Sequence, residues 1–156
     1  MIHVHRNDLI DQYEAGPAEV RDALDGITDA ELDHRSEPDA WTAREVVHHL
    51  ADSETNSYIR LRRLVAEDDV VIVGYDEAEW ARRLAYDRPI QPSLAVLDAV
   101  RAATTQLLRT LDAAQFERAG KHTESGGYSV DDWLEIYAAH AHLHADQIRR
   151  ARQGRS

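Results

Sequence analysis

The chain contains no cysteine among its 156 residues. This absence excludes disulfide bonds, thiolate metal ligands and cysteine nucleophiles, and it leaves histidine and carboxylate side chains as candidate metal ligands. Methionine and phenylalanine occur once each, whereas nine histidines are dispersed along the sequence. The abundance of histidine makes this side chain the leading candidate for metal binding.

The chain also lacks long apolar runs and an excess of positive charge. Its apolar runs are too short to cross a bilayer, and its first residues lack the basic and apolar blocks of a signal peptide. The net charge of −11 disfavours binding to phosphate backbones and to anionic membranes. We therefore expect a cytoplasmic protein that acts on a small molecule, with neither nucleic acid nor membrane as its partner.

The length and the hydrophobic fraction of 43% suit one domain with a single core. No internal repeat or linker divides the sequence, so residues 1–156 are predicted to form one domain. Periodicity and capping signals predict five or six helices. The expected fold class is all-α, a four-helix bundle with short additional helices.

Four long helices are predicted, from about Arg6 to Leu24, from Thr42 to Ala66, from Ser93 to Leu111 and from Ser129 to Arg152. Thr42 and Glu45 form a capping box, and Ser129 precedes two acidic residues, which favours a helix start at both places. Pro17 is unfavourable inside the first helix. It either interrupts that helix or begins a second one.

Two connections are predicted to lack regular structure. Val70–Val73 has the composition of a short strand, but a single strand without partners is not a sheet, so residues 68–75 are interpreted as an extended connection. A polar loop that contains His122 and Gly126–Gly127 is expected before the last helix.

His140 and His144 lie four residues apart in the last predicted helix. Residues at this spacing share one helix face, so the two imidazoles can bind the same metal ion. His142 is rotated by about 200° and is expected to face solvent. Such a pair also occurs as simple surface decoration, so a third ligand on another helix is needed to support a metal site.

His48 and His49 are the candidates for this third ligand. His49 lies in one polar row with Ser53, Asn56 and Arg60, whereas His48 lies about 100° away around the helix. A lone buried histidine is often a hydrogen-bonded core residue. Spacing alone therefore leaves open whether either residue binds a metal ion. Three histidine ligands would leave one coordination position for water or substrate, which is typical of catalytic sites.

Several motifs resemble the DinB/YfiT-like superfamily of metal-dependent hydrolases, and within it a bacillithiol-transferase-like branch. The resemblance covers nearly the whole chain. Its motifs are residues 41–53 with Asn56–Arg60, Tyr75–Glu77 with Trp80, His122 with Gly126, and Tyr137–His140 with His144 and Gln147–Ile148. Gln147 stands where the family often has another histidine.

The resemblance implies that His49, His140 and His144 bind a divalent metal, zinc or nickel, within a homodimer of four-helix bundles. It also implies a low-molecular-weight thiol, which the metal deprotonates for attack on an electrophile. Asp52 and Asp146 are the carboxylates expected to accept hydrogen bonds from the ligands.

Three functions remain open from the sequence. The leading one is a metal-dependent thiol S-transferase acting on electrophiles in detoxification or stress. The second is a hydrolase in which the metal activates water, and the third is a metal-binding stress-response domain without catalysis. For either enzyme, Ser53, Asn56 and Arg60 are the expected substrate contacts, with the Arg60 guanidinium binding a carboxylate.

Overall fold

Four long helices form the body of the computed structural model, which describes residues 3–155, with side chains from His5 to Arg155. They are α1 (His3–Ala23), α3 (Ala43–Ala66), α5 (Gln91–Leu108) and α7 (Val130–Arg152). Helix α1 packs against α7 and α5, and α3 packs against the same two helices. This closed arrangement confirms the predicted four-helix bundle. Within the described residues, no helix is both long and apolar enough to cross a membrane.

The shorter elements are α2 (Asp29–Leu32), β1 (Val71–Ile72), α4 (Glu77–Arg83), α6 (Ala113–Glu117), β2 (Ala119–His122) and β3 (Gly126–Ser129). Strand β1 pairs in parallel with β2, which pairs antiparallel with β3. The expectation of unpaired segments at 68–75 and around His122 is therefore wrong. The partner of β1 comes from far along the chain, and Gly120 permits the pairing because a Cβ there would lie 2.4 Å from the Val70 carbonyl oxygen.

Helix α1 continues through Pro17, contrary to the expected interruption. A proline at this position supplies no N–H for the carbonyl of residue 13, one turn earlier. The Arg101 guanidinium donates a hydrogen bond to that Tyr13 carbonyl over 2.7 Å. A side chain from α5 thus replaces the missing backbone donor, and the helix persists.

The predicted capping box of α3 and the predicted Ser129 cap of α7 are both present. The Thr42 hydroxyl accepts from the Glu45 N–H, and the Ser129 hydroxyl accepts from the Asp132 N–H. These caps fix where each helix begins and therefore which residues face the centre of the bundle. Helix α5 begins at Gln91, earlier than expected, and Ser93 lies buried inside its first turn.

The apolar core consists of two clusters separated by a polar layer. On α7, the first cluster extends to Ala138 and the second begins at Ala141. Between the clusters, α3 contributes Glu54, α5 contributes Arg101 and α7 contributes His140. We call these three residues the polar layer. Glu54 and Arg101 are 0% and 1% exposed, so this layer lies in the interior.

Candidate metal centre

Three histidines meet at the edge of the polar layer, His49 from α3 and His140 and His144 from α7. The ring centroids are 4.7 Å apart for His49 and His144, 4.6 Å for His140 and His144, and 5.9 Å for His49 and His140. One ring nitrogen from each residue lies within 4.8 Å of the others. Small rotations of the imidazoles would therefore bring all three nitrogens onto one ion.

Hydrogen bonds orient two of these imidazoles. The Nδ1–H of His140 donates to the Glu54 carboxylate over 3.2 Å, and the Nδ1–H of His144 donates to the Gln147 side-chain oxygen over 2.7 Å. Both residues therefore keep Nε2 as the nitrogen with a free lone pair. Hydrogen bonds of this kind fix the tautomer of a histidine ligand and raise its basicity.

The carboxylates expected to support the histidines are not the ones found. Asp52 accepts a 2.6 Å hydrogen bond from the Tyr86 hydroxyl, and Asp146 pairs with Arg149. The sequence prediction considered carboxylates near the histidines along the helix. Glu54 reaches His140 from the opposite helix instead.

The Glu54 carboxylate is held by Arg101. The guanidinium donates to its two oxygens over 2.5 and 2.9 Å. Burial raises the pKa of Glu54, but the Arg101 charge and the hydrogen bonds from His140 and Arg101 outweigh it and hold the pKa below its usual range. Glu54 is therefore ionised, and both of its oxygens are occupied by Arg101 and His140.

Helix α1 approaches this ion pair through a glycine. A Cβ on Gly16 would lie 2.8 Å from the Ala141 Cβ and 3.1 Å from an Arg101 nitrogen. The absent side chain lets α1 lie against α7 and leaves space for the guanidinium. Gly16 and Pro17 thus together position Arg101. Gly16 leaves space for its guanidinium, and Pro17 leaves the Tyr13 carbonyl free to accept its hydrogen bond.

His49 and His144 are held in the neutral form that binds metals. Burial, with the neighbouring His144 and His140, lowers the pKa of His49 to about 3. Burial and His140 lower the pKa of His144 to about 4. His49 is 2% exposed, and its Nδ1 is buried without a hydrogen-bond partner in the described part of the chain. Neutral rings and an unpartnered buried nitrogen both fit a site that is completed by a metal ion.

His48 differs from His49 although the two are adjacent. Its Nε2–H donates to the Arg88 carbonyl over 2.8 Å, and its Nδ1 lies 2.7 Å from the Ser93 hydroxyl, from which it accepts. Burial lowers its pKa. Both ring nitrogens are occupied, so the structure brings His49, and not His48, to the pair on α7.

The remaining histidines of interest lie apart from this cluster. His142 is half-buried rather than solvent-facing. Its Nε2–H donates a hydrogen bond to the Gln12 carbonyl over 2.8 Å, which joins α7 to α1. His122 ends β2 and accepts the Glu124 N–H over 3.1 Å. Both side chains therefore have partners in the framework of the fold.

The three expected substrate contacts occupy different surroundings. The Ser53 hydroxyl lies 3.4 Å from Nε2 of His140, on the side of the free lone pair. Asn56 donates to a backbone carbonyl of its own helix. Arg60 donates to the Tyr137 hydroxyl over 3.3 Å and to a backbone carbonyl. Because the Tyr137 ring lies 5.3 Å from the His140 ring, Arg60 is linked to the cluster through Tyr137.

A cavity of about 340 Å³ opens beside the histidines. His49 and His144 form its inner wall, and Trp41, Glu77 and Arg150 are among its other lining residues. The Trp41 ring meets the His49 ring edge-on at 5.0 Å. This volume suits a small molecule with apolar and charged parts.

Glu54 and Arg101 were not predicted from the sequence, although a signal was present. Glu54 follows the buried Leu50 by four residues, and Arg101 follows the buried Leu97 by four. Each charge therefore lies on the apolar face of its helix. A charged residue on such a face requires a buried partner, and two of them on two helices suggest each other.

Comparisons with known proteins find a matching family and several relatives. The family model of the DinB superfamily matches residues 12–148. A protein of Oceanobacillus iheyensis named "Putative metal-dependent hydrolase" is 38% identical over 142 residues, which cover 91% of this chain and 83% of the relative. A Bacillus subtilis protein of the same description, YfiT, is 37% identical over 92% of this chain and 82% of its own length.

The solved structure of Bacillus subtilis YfiT is also similar to this chain. It superposes with a TM-score of 0.91 at 34% identity, and the match covers 100% of this chain and 91% of that one. Its title describes "a probable metal-dependent hydrolase with an unusual four-helix bundle topology". The two chains therefore share their helical architecture over their matched length.

Proposed function

Because the chain belongs to the DinB superfamily, we propose that it is a metal-dependent enzyme in which His49, His140 and His144 hold one divalent cation. The observation that carries this proposal is the convergence of three imidazoles, two of them oriented through Nδ1. When bound, a divalent cation supplies a charge that lowers the pKa of a coordinated water or thiol and polarises an electrophile.

The protein residues supply the conditions for this chemistry. Three protein ligands leave a coordination position open. The charges of Glu54 and Arg101 cancel, so the positive charge of the cation remains uncompensated at the open position. The neighbouring cavity admits a small substrate to His49 and His144. Histidine ligands suit zinc and nickel, which are the metals we propose.

Hydrolysis is the first form of this proposal. It is supported by the relatives, which are named as metal-dependent hydrolases. In this form the nucleophile is water, and the substrate enters through the cavity lined by Trp41 and Arg150.

Transfer of a low-molecular-weight thiol is the second form. It is favoured by the state of Glu54, whose oxygens already bind Arg101 and His140 and so are not free to accept a proton from water. A thiol needs a proton acceptor less than water does, because its pKa is much lower. Ser53, Asn56 and Arg60 are the residues we propose to contact such a thiol or its substrate.

The ligand assignment is tested by elemental analysis of purified protein. We expect about one equivalent of metal in the wild type and in His48→Ala. We expect a loss of most metal in His49→Ala, His140→Ala and His144→Ala. Stoichiometric metal in all three of these variants contradicts the proposal, and loss in His48→Ala with retention in His49→Ala reverses the choice between the neighbours.

Turnover by the metal-loaded protein distinguishes the two forms. Hydrolysis of activated esters without an added thiol supports the first form. Consumption of an electrophile such as 1-chloro-2,4-dinitrobenzene that requires an added thiol supports the second. An Arg60→Ala variant with unchanged thiol affinity removes Arg60 from the proposed contacts.

A homodimer is a further part of the proposal. Ile59 and Val73 are 55% and 66% exposed, and both line one surface groove beside Arg60. Apolar side chains of this size on a bundle surface favour self-association. Sedimentation at several concentrations tests this, and a monomer at all of them contradicts it.

A further inference from the structure

The Tyr75 hydroxyl is a buried polar group that the fold leaves unused. Tyr75 lies between β1 and α4, and its ring packs on Trp80 with centroids 4.4 Å apart. Its hydroxyl oxygen is buried and makes no hydrogen bond with any residue that the structure describes. Burial raises its pKa to about 12, with the nearby Ser53 hydroxyl acting in the opposite direction, so the phenol keeps its proton at neutral pH.

The position of this hydroxyl relates it to the three histidines. Ser53, which lies beside Tyr75, places its own hydroxyl 3.4 Å from Nε2 of His140. Glu77, two residues after Tyr75, lines the cavity that reaches His49 and His144. The Tyr75 phenol therefore lies beside Ser53, the residue whose hydroxyl is next to Nε2 of His140.

Neighbouring tyrosines use their hydroxyl groups within the protein. Tyr86 donates to Asp52 over 2.6 Å, and Tyr137 accepts from Arg60 over 3.3 Å. A buried donor without an acceptor destabilises a folded chain, and each such group calls for a reason. A substrate atom that arrives from the cavity would supply the missing acceptor.

We infer that the Tyr75 hydroxyl donates a hydrogen bond to a carbonyl oxygen of the substrate bound beside the three histidines. This inference rests on the proposed function. A neutral phenol can donate where negative charge grows on that oxygen, and a donor fixed in place before the reaction stabilises such charge. The substrate class is accordingly a small carbonyl compound, and Tyr75 is assigned as a catalytic residue.

The test uses the cobalt-loaded protein and acetohydroxamate, a small ligand that carries a carbonyl oxygen. Binding is followed through the visible spectrum of the cobalt ion. In Tyr75→Phe we expect the dissociation constant to rise by about tenfold or more, as for a lost hydrogen bond to a charged group, while the cobalt content is unchanged. Equal affinities for wild type and Tyr75→Phe overturn the inference.

Tyr13→Phe is the matched control. The Tyr13 hydroxyl is likewise buried and without a partner among the described residues, but its ring packs against Trp133 in the core. We expect this variant to bind acetohydroxamate like the wild type. An equal loss of affinity in both variants would show a general effect of removing a buried hydroxyl and would contradict a specific role for Tyr75.

Thermal unfolding of the metal-free proteins gives a readout that does not depend on the cation. Since Tyr75→Phe removes no hydrogen bond, its midpoint should equal or exceed that of the wild type. A fall of several degrees with unchanged affinity assigns Tyr75 a structural role and overturns the inference. A wild type that binds no cobalt contradicts the proposed function and, with it, this inference; one that binds cobalt but not acetohydroxamate contradicts the inference alone.

Discussion

His48 and His49 are adjacent on α3 and equally buried, yet their surroundings are opposite. His48 faces α5 and the loop before it, where the Ser93 hydroxyl and the Arg88 carbonyl occupy both ring nitrogens. His49 faces α7 and two further histidines, and its Nδ1 has no partner in residues 3–155. Burial alone thus does not separate a structural histidine from a candidate ligand, whereas the hydrogen-bond partners of each ring nitrogen do.

The rotation between neighbouring helix residues produces this difference. Consecutive side chains diverge by about 100°, so one helix can present a histidine to each of two partners. The capping box at Thr42 and Glu45 fixes the helix start at Ala43, between one and two turns before these residues. Both ring nitrogens of His48 have hydrogen-bond partners within the protein, whereas Nδ1 of His49 has none among the described residues.

The largest expected effect concerns Glu54, the carboxylate that accepts a hydrogen bond from His140. Glu54→Gln leaves the Arg101 charge buried without its counter-ion, so we expect the free energy of unfolding to fall by about 3–5 kcal/mol. Urea denaturation of the metal-free protein measures this. Glu79 also pairs with an arginine, but at an exposed position. Glu79→Gln is therefore the control and should change stability little. A double variant that also carries Arg101→Met should recover part of the loss, and no recovery would contradict the ion-pair explanation.

The next effect compares the two histidines directly. His48→Ala and His49→Ala each remove a buried imidazole, but only the first also removes two hydrogen bonds. In metal-free protein we expect His48→Ala to lower the free energy of unfolding by about 1–3 kcal/mol more than His49→Ala does. Denaturation curves in the presence of a chelator measure the difference. Equal losses would mean that the His48 bonds add nothing to stability.

The third effect concerns Gln147, which accepts the hydrogen bond of His144. Gln147→Ala removes the acceptor of the His144 Nδ1–H, so the metal affinity should fall by about 10- to 100-fold while the ligands remain. Competition with a chromophoric chelator measures this affinity. Asp146→Ala is the control, because Asp146 pairs with Arg149 instead. A larger loss in Asp146→Ala would favour the carboxylate expected from the sequence.

The smallest effect is a dependence on pH in the metal-free protein. The pKa of His49 is about 3 in the folded chain, against about 6.5 when unfolded. Between these values the unfolded chain binds a proton that the folded chain does not, so stability falls as the pH falls. From pH 6.5 to 5, we expect the wild type to lose about 1.6 kcal/mol more than His49→Ala does. Parallel pH profiles of the two proteins would contradict the lowered pKa.

Local features of the fold were predictable from the sequence. The capping boxes at Thr42 and Ser129 are formed by residues three positions apart, and the pairing of His140 with His144 follows from helix geometry. These relations depend on a few consecutive residues. The choice of His49 over His48 rested mainly on family resemblance, because spacing does not reveal which neighbouring helix each face meets.

Features that join distant segments were not predictable in the same way. The strand β1 needs β2 as its partner, and Glu54 needs Arg101, which lies on another helix. The continuation of α1 through Pro17 depends on the same arginine. In each case the local sequence is unfavourable by itself, because it lacks a hydrogen-bonding or charged partner. A residue from elsewhere in the chain supplies that partner.

The packing of Arg101 against Gly16 limits which side chains the protein can accept at position 16. Helix α1 provides none of the three candidate ligands, yet a single added methyl group at Gly16 would press on Arg101 and on Ala141. Through Arg101 and Glu54, that pressure would reach the hydrogen bond that orients His140. The metal affinity of the proposed centre would thus depend on Gly16, a residue without a side chain in a helix that provides no candidate ligand.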